Sequence, residues 1–220
     1  MAAFRYKDLC LSVAAVLLGS SLAPARAEPA PTPPAASSRD GQHDFDWEFG
    51  CWKTSVRVLL SPLSGQSPDW AEYVGTSLVR PVLGGHFNLV ELRVQGPHGK
   101  IEGSALRLYE SEKRLWTLNY ANARNGLLTA PVEGSFDGHG RGTFYAKDTL
   151  DGRPIKVRFI ITVSPNHRAH FEQAYSADGG SVWELNWIAD DTLLGSANGT
   201  CRLSSAVSPS PSSLGKEVGR

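Results

Sequence analysis

Sulfur is scarce in this chain: its 220 residues include three cysteines and one methionine. Neither sign of charge is in excess. Twenty-two Lys and Arg balance 22 Asp and Glu, whereas a nucleic-acid binder carries a basic excess. Long apolar runs are missing beyond the N-terminus, which argues against a bundle of membrane-spanning helices. Helical periodicity is hard to find. There is no Gly-x-Ser-x-Gly elbow, no P-loop and no Gly-x-Gly-x-x-Gly after a strand, so hydrolases of that type and nucleotide cofactors are not indicated. The six histidines (His43, His86, His98, His139, His167 and His170) make no His-Glu-x-x-His or His-x-His pair. A metal site needs three or four converging ligands, and none is expected here.

The apolar run that does exist reads as an export signal. Arg5 and Lys7 precede Leu9 to Leu18, and small residues follow up to Ala25-Arg26-Ala27. A basic region, a short apolar core and an Ala-x-Ala site make a secretory signal peptide. Ala23-Pro24-Ala25 offers a second cleavage site. Cleavage after Ala27 leaves Cys51 and Cys201 as the cysteines of the mature chain. In an oxidising compartment these either form a disulfide or remain two thiols, because sequence does not show their distance. The domain reading is a signal peptide at 1–27, a Pro-rich linker at 28–39, one folded unit at 40–194 and a disordered Ser/Pro-rich tail at 195–220. The expected location is periplasmic or secreted, in a bacterium, with no membrane span after cleavage.

The folded unit alternates apolar and polar residues with a period of two. Gly, Asn, Asp and Pro punctuate it at short intervals. Ile155, Val157, Phe159, Ile161 and Val163 share one face, and Lys156, Arg158 and Thr162 the other. Trp52, Val56, Val58 and Leu60 oppose Lys53, Ser55 and Arg57, and Trp183, Leu185 and Trp187 oppose Glu184 and Asn186. Nine to eleven short strands joined mostly as hairpins predict an all-β sandwich or closed meander barrel. Asn125-Gly126 predicts a hairpin turn, with Leu127 to Thr129 as a short strand after it.

Two local patterns narrow the choice. His43-Asp44-Phe45-Asp46-Trp47-Glu48-Phe49-Gly50-Cys51-Trp52 places an aromatic turn and a Gly-x-Trp just before the first strand. It resembles the signature of the calycin/lipocalin-like superfamily. That resemblance implies a turn that plugs the closed end of the barrel and a Trp packed across its floor. An Arg near the end of the last strand often caps that Trp, but Leu193-Leu194 stand there, so the cap is absent or comes from another Arg. A fuller similarity is to a bacterial family of exported, calycin-like domains with no assigned activity. Its residues here are Gly85-His86-Phe87-Asn88-Leu89, Ile101-Glu102-Gly103, Leu106-Arg107-Leu108-Tyr109, Trp116-Thr117-Leu118-Asn119, Phe171-Glu172-Gln173-Ala174 and Trp183-Glu184-Leu185-Asn186-Trp187. This implies an antiparallel up-and-down barrel of about ten strands with an internal cavity. The second pattern, Ser176-Ala177-Asp178-Gly179-Gly180-Ser181-Val182-Trp183, resembles the Asp-box hairpin of sialidases and reads as a turn device.

A barrel cavity with apolar walls and a few polar groups is a common ligand site. The expected function is binding of a small, partly apolar molecule, without catalysis. Trp52, Trp116, Tyr120 and Trp187 are the expected wall residues; Asn88, Arg107 and Gln173 are the expected polar contacts. An inward Arg107 would need an anionic partner, which Glu172, Glu91 or a ligand carboxylate could supply. The enzymatic alternative is a cavity-based isomerase, cyclase or hydratase using His86, Glu91 and Arg107. A third reading is an interaction protein with a filled barrel. No cofactor is expected, although an inward His86 would suit a haem-binding barrel like nitrobindin.

Overall fold

The computed structural model describes residues 39–196 and 201–203. The segment read as a signal peptide, nearly all of the one read as a linker and the residues beyond 203 lie outside the described residues. Alternating apolar positions that share one buried face must pair with neighbours, and here the sheet closes on itself. Ten antiparallel strands run in order: β1 (Gly50–Leu59), β2 (Trp70–Val82), β3 (Phe87–Gly96), β4 (Gly99–Glu110), β5 (Leu115–Asn122), β6 (Val132–Phe136), β7 (Arg141–Leu150), β8 (Arg153–Ser164), β9 (Arg168–Ser176) and β10 (Glu184–Gly195). Each pairs with its sequence neighbour, and β1 closes onto β10. The result is an all-β, up-and-down, closed antiparallel barrel, one of the two architectures that the alternation allowed and the one that the resemblance implied. Closure removes both sheet edges, each of which would leave a row of unpaired backbone groups. Among the described residues no helix is long and apolar enough to cross a membrane.

A 3-10 turn at Asp46–Glu48 precedes β1 and plugs one end. Phe45 is completely buried there, edge-on to Trp116 at 4.9 Å and to Phe136 at 5.1 Å between ring centroids. Trp52 is 1% exposed and donates its indole N–H to the Glu48 carbonyl at 2.7 Å. The chain enters β1 through Gly50, where a Cβ would stand 2.8 Å from the Gly195 carbonyl oxygen, so a side chain there would push β1 off β10. Cys51 and Cys201 form a disulfide, with Cα atoms 5.3 Å apart. The alternative of two free thiols is thereby settled. The bridge also anchors residue 201 to β1, inside a stretch the sequence assigns to a free tail.

Three local readings need correction. The piece Leu127 to Thr129 is not a strand: one bridge, Ala121 to Leu128, is all that forms. Leu127 and Leu128 are 67% and 68% exposed, so no buried face holds the segment in register. The second concerns β10. A bulge between Leu185 and Trp187 resets the alternation, and Asn186, expected on the solvent side, is buried beside Gln173. The third is Trp183, which precedes β10 and lies on the outer surface against Tyr145 and the Arg158 guanidinium. The Asp-box acts as the turn device expected of it. Asp178 Oδ1 accepts the backbone N–H groups of Ser181 and Val182, each at 3.0 Å, and the Trp183 indole N–H reaches the Gly180 carbonyl at 2.9 Å.

Candidate functional site

The barrel interior holds a cavity of about 120 Å³, room for roughly ten waters at about 12 Å³ each. Its apolar wall comes from the inward faces of several strands, including Val56, Leu92, Phe159, Phe171 and Trp187. The end away from the plug is framed by the hairpin loops. The β5–β6 ladder is only three residue pairs long, so part of the rim is loop: Thr129 and Ala130 line the cavity there. Tyr120 stands on this side, its ring lying where a side chain at Gly103 would collide with it.

The floor is polar. Glu48 from the plug and Arg107 from β4 form a buried two-pronged ion pair. One guanidinium nitrogen donates to Glu48 Oε1 at 3.1 Å and the other to Oε2. Arg107 also lies over the Phe45 ring, 4.4 Å from its centroid. The anionic partner is therefore Glu48, not Glu172 or Glu91. Arg107 is also the arginine that pins the plug, in place of a cap from the last strand.

Asp191 of β10 lies beside this pair and is 4% exposed. Its Oδ1 is buried without a hydrogen-bond partner among the described residues. Burial pushes its carboxyl up to about 7; a hydrogen bond from Thr54 works against the rise, the charge of Glu48 adds to it and Arg107 opposes it. Thr54 and Ser77 hydroxyls lie 2.8 Å apart. Donation from Ser77 to Thr54 leaves the Thr54 proton free for Asp191, a relay in which each hydroxyl is used.

Nearer the mouth, the Gln173 amide donates to the Tyr175 phenol oxygen at 3.1 Å. Burial raises both Tyr120 and Tyr175 above the ordinary tyrosine range. Asp148 also borders the cavity.

Of the seven residues expected to contact a ligand, Arg107, Tyr120, Gln173 and Trp187 line the cavity. Trp52, Trp116 and Asn88 do not. Trp52 and Trp116 are spent on the plug: the Trp116 indole N–H donates to the Gly41 carbonyl at 2.8 Å, and Trp52 packs with Val79, Val90, Trp47 and Phe49. Asn88 faces inward across from Arg107 and is 1% exposed, with neither amide atom partnered, yet it is walled off from the cavity. Alternation gives the face a residue points to, not its height along the barrel.

The residues assigned to catalysis are also redistributed. Glu91 is on the outer wall, paired with Arg80 and Arg93. His86 is exposed at the end of the 3-10 turn Leu83–Gly85, just before β3 begins, so the strand alternation does not extend to it. No histidine lines the cavity, and His170 faces outward toward Asp190 and Glu172. The residues present do not fit a haem held by an imidazole. Asp44 and Asp46 are paired with Arg39 and His43 and are not among the residues that line the cavity.

Glu48, Asp191 and Thr54 escaped the reading from sequence. Asp191 shares the alternation of Trp187 and Ala189, and Thr54 that of Trp52 and Val56, so both were legible as inward polar positions. Glu48 sits in an aperiodic turn that carries no such signal.

No known family profile matches the chain, and no curated protein does. Among solved structures, the S-type phycobiliprotein lyase CPES of Guillardia theta is similar at 12% identity and a TM-score of 0.49, covering 75% of this chain and 93% of that one. EF1p2_mFAP2b bound to DFHBI is similar at 10% identity and a TM-score of 0.36, covering 69% of this chain and 98% of that one.

Proposed function

We propose that this chain is exported, to the periplasm or beyond the cell, and binds a small, partly apolar molecule inside its barrel. Membership of the bacterial exported calycin-like family belongs to the same reading. The observation that carries it is the cavity itself: aromatic and aliphatic walls over a floor of buried polar groups, one of which, Asp191 Oδ1, lacks a partner. Buried polar atoms are paired as a rule, and a ligand seated on the floor would complete the set. A filled barrel does not fit a cavity of this volume.

Native mass spectrometry of the protein purified from its own host tests the reading. The expected result is a bound small molecule released on denaturation, on a mature chain that starts at Glu28 or, from the second site, at Arg26. A chain that keeps its N-terminal segment and carries no small molecule, in a preparation that also takes up no apolar probe, would overturn it.

One observation favours catalysis as a second reading. Asp191 titrates near neutrality beside Arg107, a setting suited to general acid–base chemistry. An isomerase, cyclase or hydratase of this kind would use Asp191 and Arg107, not His86 or Glu91. Turnover of the co-purified molecule, lost in Asp191→Asn, would establish it.

A further inference from the structure

The charged residues that line the cavity are Glu48, Asp148, Asp191 and Arg107: three carboxylates against one guanidinium. Glu48 occupies both terminal nitrogens of Arg107. That leaves Asp191 and Asp148 without a cation of their own in the lining. Asp191 is the deeper of the two and has the unpartnered Oδ1.

Resting on the reading of the cavity as a binding site, we propose that its ligand carries a basic nitrogen, seated as an ammonium on Asp191 Oδ1, with its apolar part against Trp187, Phe159 and Phe171. An ammonium supplies the donor that Oδ1 lacks and the charge that the floor lacks. A ligand carboxylate would instead meet Glu48 and Asp191, and on Arg107 it would find both terminal nitrogens held by Glu48 and the Nε alone unpartnered. A neutral hydroxyl would satisfy the hydrogen bond but leave the charge. The aromatic walls add to the preference, because a cation is attracted to the face of an aromatic ring.

The groups that face Asp191 are few. Glu48 approaches from the plug, Arg107 from β4 and the Thr54 hydroxyl from β1. From β9 the residue opposite is Ala169. Asp190 adds a charge along the strand but faces outward, hydrogen-bonded to His170. The arrangement ties binding to the ionisation of one carboxyl. An ammonium binds the ionised form, so affinity rises with pH through the neutral range until the amine itself deprotonates.

The test uses three ligands with one ring system: 2-(1-naphthyl)ethylamine, 2-(1-naphthyl)ethanol and 1-naphthylacetate. Each is titrated into the mature full-length protein by calorimetry from about pH 5.5 to about pH 8.5. With a competent fraction set by a carboxyl near 7, the amine should tighten on the order of thirtyfold across that range. The alcohol should change little and the acid should bind weakest. Asp191→Asn should abolish both the pH dependence and the preference for the amine while keeping the alcohol.

Should that variant fail to fold, Thr54→Val replaces it: loss of a bond that favours the ionised form should move the midpoint of the amine profile upward. An amine profile that is flat with pH, or an alcohol or acid that binds as tightly as the amine at the alkaline end, overturns the inference and leaves the cavity a binding site. If none of the three binds, the binding reading falls with it.

Discussion

Replacing Arg107 by Met removes the one cation among the described lining residues and should cost more than its size suggests. Three losses combine. Glu48, 2% exposed, loses both hydrogen bonds to the guanidinium. Asp191 loses the positive charge that opposes the rise in its pKa. The contact with the Phe45 ring at 4.4 Å disappears. Breaking a buried ion pair by removing one partner costs about 3–5 kcal/mol, because a charge is left uncompensated. The ring contact adds roughly 1–2 kcal/mol when desolvated.

A total near 4–7 kcal/mol is a large share of the roughly 5–15 kcal/mol that holds a domain together. In a domain of this size it corresponds to about 8–28 °C in melting temperature, at about 2–4 °C per kcal/mol. Urea denaturation followed by circular dichroism reads it directly. The double variant Glu48→Leu with Arg107→Met should recover most of the loss, since an apolar replacement of a whole buried pair is often neutral. A single-variant loss below about 1 kcal/mol, or a double variant no better than the single, would refute the account of the plug as held by this pair.

Other outcomes follow from the same geometry. Cys201→Ser opens a loop of 150 residues, and the chain-entropy relation puts the loss at up to about 5 kcal/mol, measurable as a lower urea midpoint that matches the reduced wild type. Trp52→Ala removes a fully buried indole and its bond to Glu48, so a loss of about 3–5 kcal/mol is expected in the same assay. The Asp191 carboxyl is raised from 3.8 to about 7 in the folded chain. The folded state therefore holds a proton that the unfolded state releases, and this group's contribution to stability is lost as pH climbs from about 4 to about 7. The loss is on the order of 4 kcal/mol, with no further change above that window. Asp191→Asn should flatten that slope, and an unchanged slope in denaturation measured across pH would count against the buried carboxyl.

The strands and their faces were legible because they depend on short-range chemistry, whereas the choice of a closed barrel over a sandwich came from the resemblance. Period-two alternation in Ile155 to Val163 and in Trp52 to Leu60 dictates one buried face per strand. Short punctuated connections dictate hairpins, and a row of hairpins leaves few arrangements besides a meander. The same parity put Gln173 and Trp187 inside without any knowledge of the tertiary structure, and left Arg107 open between the two faces. Parity fails wherever the backbone stops being a regular strand. His86 sits one residue before β3 and points to solvent. The bulge at Asn186 turns a predicted surface amide inward, and Leu127 to Thr129 has no partner strand long enough to hold it.

The amino-acid sequence thus determined the strands, their faces and the aromatic turn, since each depends on neighbours a few residues apart. It left the disulfide open and said nothing of Glu48 reaching Arg107, 59 residues away, or of Asp191 meeting both. Those juxtapositions depend on how far each strand is staggered along the closed barrel, which is set jointly by all ten ladders. The same stagger put Trp52 and Trp116 into the plug and left Tyr120 and Trp187 on the cavity wall.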